Sequence, residues 1–479
     1  MPDTDNNRNN IDPTWAWRAY QPTRQNPWDL KKAGHLFRRA GFGASLPELK
    51  QAIQDGPERA INKLLRGGEG QTAFERQANS LTASIKAGNN GRLATAWWLY
   101  KMAYTPHPLR EKLTLFWHDH FATSNLKVNN TTYMLGQYQL MRQHAQGNFG
   151  TMLQAITLDP AMLVWLDTTD SRRGQPNENY ARELMELFSL GINNPQHPDR
   201  ANYTEGDIRE AARAFTGYRI QNGQGVFREN LHDKTEKRVL GQRGRFRGED
   251  IVRICLAQPA CAYFIVGKLF QFLISETIQP TPQIIAPLAT AFRRNYDIGA
   301  VVETILRSNL FFSAQTYRTK VKSPVEYVVG IVRGLQARVG TTQLELDLEG
   351  LGQRLFYPPS VAGWDEGRAW LNGQTLLFRH NLALKMTSTE DGDYGSRCDP
   401  ARLVRDQNNL NTDTKIVDFF LSVFLQGDVA ANARTRLLGY LEQARRQSVP
   451  RFWTEQDATD HRIRALCHLV LTQPEFQLN

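Results

Sequence analysis

Apolar residues recur near every 3.6 positions through most of the chain. That spacing predicts helices over about 45–54, 57–66, 70–86, 90–104, 108–121, 131–145 and 148–158. Ser45-Leu46-Pro47-Glu48 reads as a capping box, in which hydroxyl and carboxylate each satisfy a free N–H at a helix start. A polar loop at 167–176 precedes a helix over about 177–190 that stops at Gly191, and another helix starts at Thr204. The period then changes. Tyr218 to Gln221 and Gly225 to Arg228 flank Asn222-Gly223, which signals a tight β-hairpin at about 218–228. Helical spacing returns at about 249–257, 260–274, 282–294, 298–307, 323–338 and 345–355, and later at 373–386, 414–425, 430–446 and 458–472. Pro358-Pro359 interrupts this run, because proline removes a donor and restricts its neighbour. The loop 356–372 that follows carries Trp364 and Trp370.

The expected fold is therefore mainly α. It is a large multi-helical body over 31–479 with one small β-hairpin and an aromatic Pro-Pro loop. A sub-boundary is expected near 340–390. Residues 1–30, rich in Asn, Asp, Gln and Pro, read as a flexible polar arm.

Of 479 residues, 41% are hydrophobic and 22% charged, which excludes disordered, collagen-like and coiled-coil classes. No run approaches the ~18–20 apolar residues that span a bilayer. The most apolar stretch, Ala260 to Ile274, is broken by Lys268 and Gln271. The polar N-terminus lacks the features of a signal peptide, so the expectation is a cytoplasmic protein, or a mature form whose leader has been removed. Cys255, Cys261, Cys398 and Cys467 have neither disulfide-scaffold density nor zinc spacing; they read as core residues, Cys398 being the candidate for exposure.

The formal charge is 58 − 48 = +10. Between Arg228 and Arg253 eight basic residues face five acidic ones, a net +3 that could attract a polyanion or anionic glycan. A solvated arginine-rich loop is the simpler reading, and no motif supports specific nucleic-acid binding.

Four polar clusters are candidates for chemistry. In Phe116-Trp117-His118-Asp119-His120-Phe121, two histidines flank a carboxylate, as in metal sites. On a helix, however, residues two apart point about 200° away from each other, so one ion can use both only if the helix ends there. The second cluster, Asn177 to Leu187, places Asn179, Arg182, Glu183 and Glu186 on one arc, with Glu178 at its edge. That arc is a solvated face, or the carboxylate wall of a cleft. The third is His232-Asp233 with Lys234 and Lys237 at the hairpin exit, and the fourth is Tyr357 to Asp365, a stiff aromatic wall containing Trp364. HExxH, Walker A, GxSxG and strand-linked GxGxxG motifs are absent.

Several blocks carry a resemblance: HLFRRAGFGASLPEL (35–49), REKLTLFWHDHFATS (110–124), PNENYARELMELFSLGI (176–192), YTEGDIREAARAFTGY (203–218), HDKTEKRVLG (232–241), KSPVEYVVGIVRGL (322–335), FYPPSVAGW (356–364) and TQPEFQ (472–477). In this order, and over about 33–478, they resemble the bacterial domain-of-unknown-function 1800 family. The family's His-Asp-Lys-Leu-Gly pattern is matched by His232, Asp233, Lys237, Leu240 and Gly241. The resemblance implies frequent export and a gene neighbour of the sulfatase-like, alkaline-phosphatase type. It carries no activity.

The leading expectation is an enzyme with a divalent metal ion. His118, His120 and His232 would supply nitrogen ligands, and Glu178 or Glu183 a carboxylate ligand or base. Arg182 would orient an anionic group, Asp233 would complete the catalytic set, and Asn177, Asn179, Lys237 and Trp364 would contact substrate. Hydrolysis or group transfer is favoured, since no redox signature is present. The alternatives are a helical scaffold for the sulfatase-like partner and a polyanion or glycan binder using 228–253.

Overall fold

A computed structural model of the chain describes residues 11–388, 391–394, 397–407 and 409–479. It is mainly helical, and its helices begin where side-chain chemistry says they should. Ser45 and Glu48 form the expected capping box, with the Ser45 N–H donating to Glu48 at 2.7 Å. Asp29, Asn90, Asn130, Asn148, Asp159 and Asp297 each cap a free N–H of the helix that follows. Proline occupies the first turn of Pro108–His120, Pro160–Trp165, Pro259–Leu273 and Pro324–Gly334, where its missing donor costs nothing. The two helices expected at 45–54 and 57–66 meet as Leu46–Arg66, broken at Gly56, whose φ of 74° a side chain would resist.

The hairpin is present. Tyr218–Gln221 pairs antiparallel with Gln224–Phe227, and Asn222 and Gly223 both take positive φ, as the tight turn requires. Two further two-stranded sheets lie outside the sequence reading: Asn193–Asn194 with His197–Ala201, and Lys237–Val239 with Gln242–Gly244. Both pairs are too short and polar to show a period-2 apolar pattern. A helix, Pro400–Arg405, also stands inside the polar stretch expected to be loop.

The arm expected at 1–30 lies outside the described residues as far as position 10. From Ile11 onward it is docked, not loose. Ala16 and Tyr20 are core residues, Trp17 donates its indole N–H to the Ile284 carbonyl at 2.7 Å, and the Tyr20 N–H donates to Arg307 at 2.7 Å. Aromatic anchoring outweighs the polar composition of the segment. All four cysteines are free and buried, Cys398 included.

The buried apolar residues form two cores. The first gathers Pro259–Leu273, Pro282–Asn295, Ile298–Arg307 and their neighbours, ending with Phe312. The second gathers Gly91–Tyr104 with Pro324–Gly334, Gly373–Thr387, Asp413–Leu425 and Glu455–Leu471. The second core is built mostly from Val325 onward, joined by Phe42, Ala161 and part of 85–138, while Leu109, Leu113, Phe116, Trp117 and Phe121 stay in the first. One helix, Pro108–His120, feeds both: Leu113, Phe116 and Trp117 enter the first and Leu115 the second.

A buried polar knot locks that helix in place. Glu111 is fully buried and accepts from Trp98 Nε1 at 3.0 Å, Tyr138 OH at 2.9 Å and Arg142 Nε at 2.6 Å. Burial alone would raise its pKa, but Lys101 and Arg142 bring it below the ordinary carboxylate value.

Candidate functional site

The 200° between His118 and His120 has a structural purpose: each histidine belongs to a different core. His118 lies among Trp98, Phe356 and Trp364, with ring centroids 5.2, 5.6 and 5.5 Å away. Its Nε2 accepts the backbone N–H of Phe356 at 3.1 Å, and burial lowers its pKa to about 3, so it stays neutral. His120 points into the first core. Its Nε2 donates to the Phe188 carbonyl at 3.1 Å, and burial, then Lys268, hold its pKa well below the ordinary value.

Phe188 belongs to a departure from regular helix. Asn179–Glu183 is α-helical, but Leu184–Ser189 winds as a π-helix, a form enriched at functional positions. The wider turn weakens the ladder at its end, and outside donors take over: His120 reaches Phe188, and Asn202 Nδ2 reaches the Leu190 carbonyl at 2.9 Å.

The polar face of this segment is largely self-satisfied. Arg182 grips Glu205 through two bonds of 2.7 and 2.8 Å and reaches Glu178 at 3.3 Å; the Glu205 bond raises its pKa. Asn177 accepts the Asn179 N–H at 2.8 Å, and Asn179 reaches Asp167 at 3.4 Å. Glu183 alone is half-buried with a raised pKa, first from burial and then from repulsion by Glu186.

His232, Asp233 and Lys237 form a separate knot. His232 Nδ1 donates to the Thr216 carbonyl at 3.0 Å, and burial lowers its pKa. Burial opposes the charge on Asp233, yet bonds from Arg213 at 2.9 Å and from Thr235 keep its pKa far below the usual range. The buried Lys237 ammonium donates to the carbonyls of Asp233 and Thr235. Among the described residues no three His, Cys, Asp or Glu side chains group as metal ligands. The expected set of His118, His120 and His232 is not brought together: His118 lies at Phe356 and Trp364, His120 at Phe188, and His232 at Thr216.

The residue between the two histidines is the one that reaches a pocket. Asp119 sits at the seam of the two cores, on a pocket of about 50 Å³ shared with Phe116, Phe272, Glu276, Lys320, Trp364 and Trp370. Residues 115–119, 272–276, 320–326 and 364–370 meet there, with Gln353. Asp119 Oδ1 accepts the Trp364 N–H at 2.9 Å. Burial raises the Asp119 pKa to about 7; Glu366 adds to the rise, while the Trp364 bond, Lys268 and Lys320 oppose it. Lys268, 5.2 Å from the Phe264 ring centroid, has its pKa lowered by burial and supported by Asp119 and Glu366. Among the described residues it makes no hydrogen bond or ion pair. Lys320, by contrast, is committed to Glu276 at 3.1 Å.

A carboxyl whose pKa burial raises to about 7, on an aromatic-walled pocket and under the charge of Lys268, is equipped to move a proton. Trp364 is the expected site residue that takes part. The sequence does not single out Asp119, because the two histidines flanking it carry the metal-site pattern. Its signal was a carboxylate flanked on both sides by residues of buried faces, which leaves it only the seam between them.

No curated protein and no solved structure matches this chain. The protein-family model described as "Protein of unknown function (DUF1800)" matches residues 35–478, nearly its full length. The chain belongs to the domain-of-unknown-function 1800 family.

Proposed function

We propose that the protein is an enzyme that catalyses hydrolysis or group transfer by proton transfer at Asp119. The observation that carries this reading is the convergence of separate chain segments on one carboxyl group that feels the charge of Lys268. Asp119 exchanges the proton, Lys268 attracts an anionic or carbonyl oxygen, and Trp364 and Trp370 exclude water from a small reacting group. His118 acts as a positioning residue. By accepting the Phe356 N–H and packing on Trp364 it fixes the aromatic loop that meets Asp119. This places the chemistry on carboxyl and amine groups rather than on the histidine metal set.

The test is hydrolysis of p-nitrophenyl acetate, phosphate and sulfate across pH. Turnover with an inflection near pH 7, lost about a hundredfold in Asp119→Asn while its melting temperature does not fall, is the expected result. Activity of Asp119→Asn equal to wild type would refute it.

The second reading is the scaffold for a partner protein, the sulfatase-like one included. One feature favours it: Leu377 and Leu384, a heptad apart on Gly373–Thr387, are 63% and 51% exposed. Co-purification of a stoichiometric partner, abolished by Leu377→Glu with Leu384→Glu, would support it.

A further inference from the structure

A second cleft lies away from Asp119. It has a volume of about 1130 Å³ and is bounded by the end of Leu46–Arg66, the start of Gln71–Ser80, the start of Pro108–His120 and the start of Ile298–Arg307. That is the size of a ligand site. Its walls carry both signs of charge, but the two signs are differently engaged. Glu75 is held by Lys101 at 2.9 Å and by Arg142. Glu303 is held by Arg307 at 2.8 Å, and Asp297 caps the Ala300 N–H at 3.0 Å. The guanidinium groups of Arg66, Arg76 and Arg110, from three different helices, make no hydrogen bond or ion pair among the described residues. Three guanidinium groups are thus left without a direct partner.

Two more observations point to a ligand. Arg110 is half-buried, and burial together with Arg142 lowers its pKa, with Glu75 and Glu111 offsetting only part of the fall. His107, only 4% exposed, lines the same cleft with its enclosed Nε2 unpartnered, and burial keeps the ring neutral, so it donates to an anion there only on taking up a proton. Gln71, Gln143 and Gln146 add amides able to donate to oxygen. The basic segment at 228–253 is partly paired, with Lys234 and Arg247 reaching Glu229 and Arg253 reaching Asp250, and its Arg243 and Arg245, which make no ion pair among the described residues, do not line this cleft.

We propose that this cleft binds a multiply charged oxyanion ligand, a chain bearing two or more phosphate or sulfate groups, held by Arg66, Arg76 and Arg110. Guanidinium forks match such groups through paired N–H bonds.

The experiment is calorimetric titration of the full chain with inorganic tripolyphosphate and, separately, with a fully sulfated disaccharide, from about 50 to 300 mM salt. Saturable binding of tripolyphosphate alone identifies a phosphate ligand, and of the disaccharide alone a sulfated glycan; either supports the site. Arg110→Ala and the exposed pair Arg66→Ala with Arg76→Ala are expected to weaken binding about tenfold or more. They should also flatten its salt dependence, while Arg243→Ala with Arg245→Ala leaves both unchanged. Binding of neither probe overturns the proposal, as does binding that survives loss of Arg66, Arg76 and Arg110.

Discussion

Asp119 Oδ1 and the backbone N–H of Trp364 are 2.9 Å apart, a bond joining residues 245 positions distant across the seam of the two cores. It has a steric condition. Gly363 has φ +88°, and a Cβ built on it would lie 2.3 Å from Asp119 Oδ1. Gly363→Ala therefore meets both a strained backbone and a clash. A loss of about 1–3 kcal/mol in denaturant unfolding is expected, together with a shifted Asp119 titration by carboxyl NMR. Wild-type stability and titration in this variant would show that the loop does not depend on the contact.

The raised pKa of Asp119 has a thermodynamic sign. The folded carboxyl holds its proton up to about pH 7. The unfolded one releases it near 4, so this group favours the native state less as pH rises between those values. Asp119→Asn is expected to match wild type below about pH 4 and to be more stable by about 1–3 kcal/mol at pH 8. Asp159, also raised to about 7 by burial, behaves the same way, so the comparison must be between variants rather than of one curve. A less stable Asp119→Asn at pH 8 would contradict the assignment.

Buried histidines act in the opposite direction. Burial lowers His107 to about 4 and His118 to about 3, and holds His35 and His120 well below the ordinary value. As pH falls below about 6.5, the unfolded chain takes up protons that these rings refuse. Denaturant midpoints should therefore drop between about pH 6.5 and 4. The His118→Phe variant, which also strips Phe356 N–H of its acceptor, should be less stable at neutral pH by about 1–3 kcal/mol and show a shallower acid slope.

Arg142 and Arg182 offer a contrast in ion pairs. Removing Arg142 leaves the fully buried Glu111 carboxylate without its 2.6 Å partner, and Arg142→Ala is expected to cost about 3–5 kcal/mol. Arg182 bridges Glu205, which is 62% exposed, and Arg182→Ala should cost less than about 1 kcal/mol. Thermal melts of both variants decide the matter. A large loss for Arg182 would restore the 177–186 face as a candidate site.

Much of the fold was legible because helix starts are local chemistry. Ser45 with Glu48, and Asn222 with Gly223, specify their geometry within four residues. The π-turn at Leu184–Ser189 was not legible, because its amphipathic spacing fits an ordinary helix as well. The 218–228 hairpin was readable from its turn residues, whereas Asn193–Asn194 and Lys237–Val239 pair without any apolar alternation. For the candidate site, the sequence marks the block at 116–121 through its two histidines and not through Asp119. Two histidines suggest a ligand pair. Only the presence of a core on each side shows that they are packing residues and that Asp119 between them is the one left facing the pocket.

The helix Pro108–His120 gives one face to each core. The chain therefore cannot be divided between Phe312 and Val325 into two self-sufficient halves, since either fragment would present a bare strip of leucine and aromatic surface to water. Melting should accordingly be a single cooperative event. Limited proteolysis should release no stable fragment ending at that junction, and a ligand seated against Asp119 would brace both halves at once.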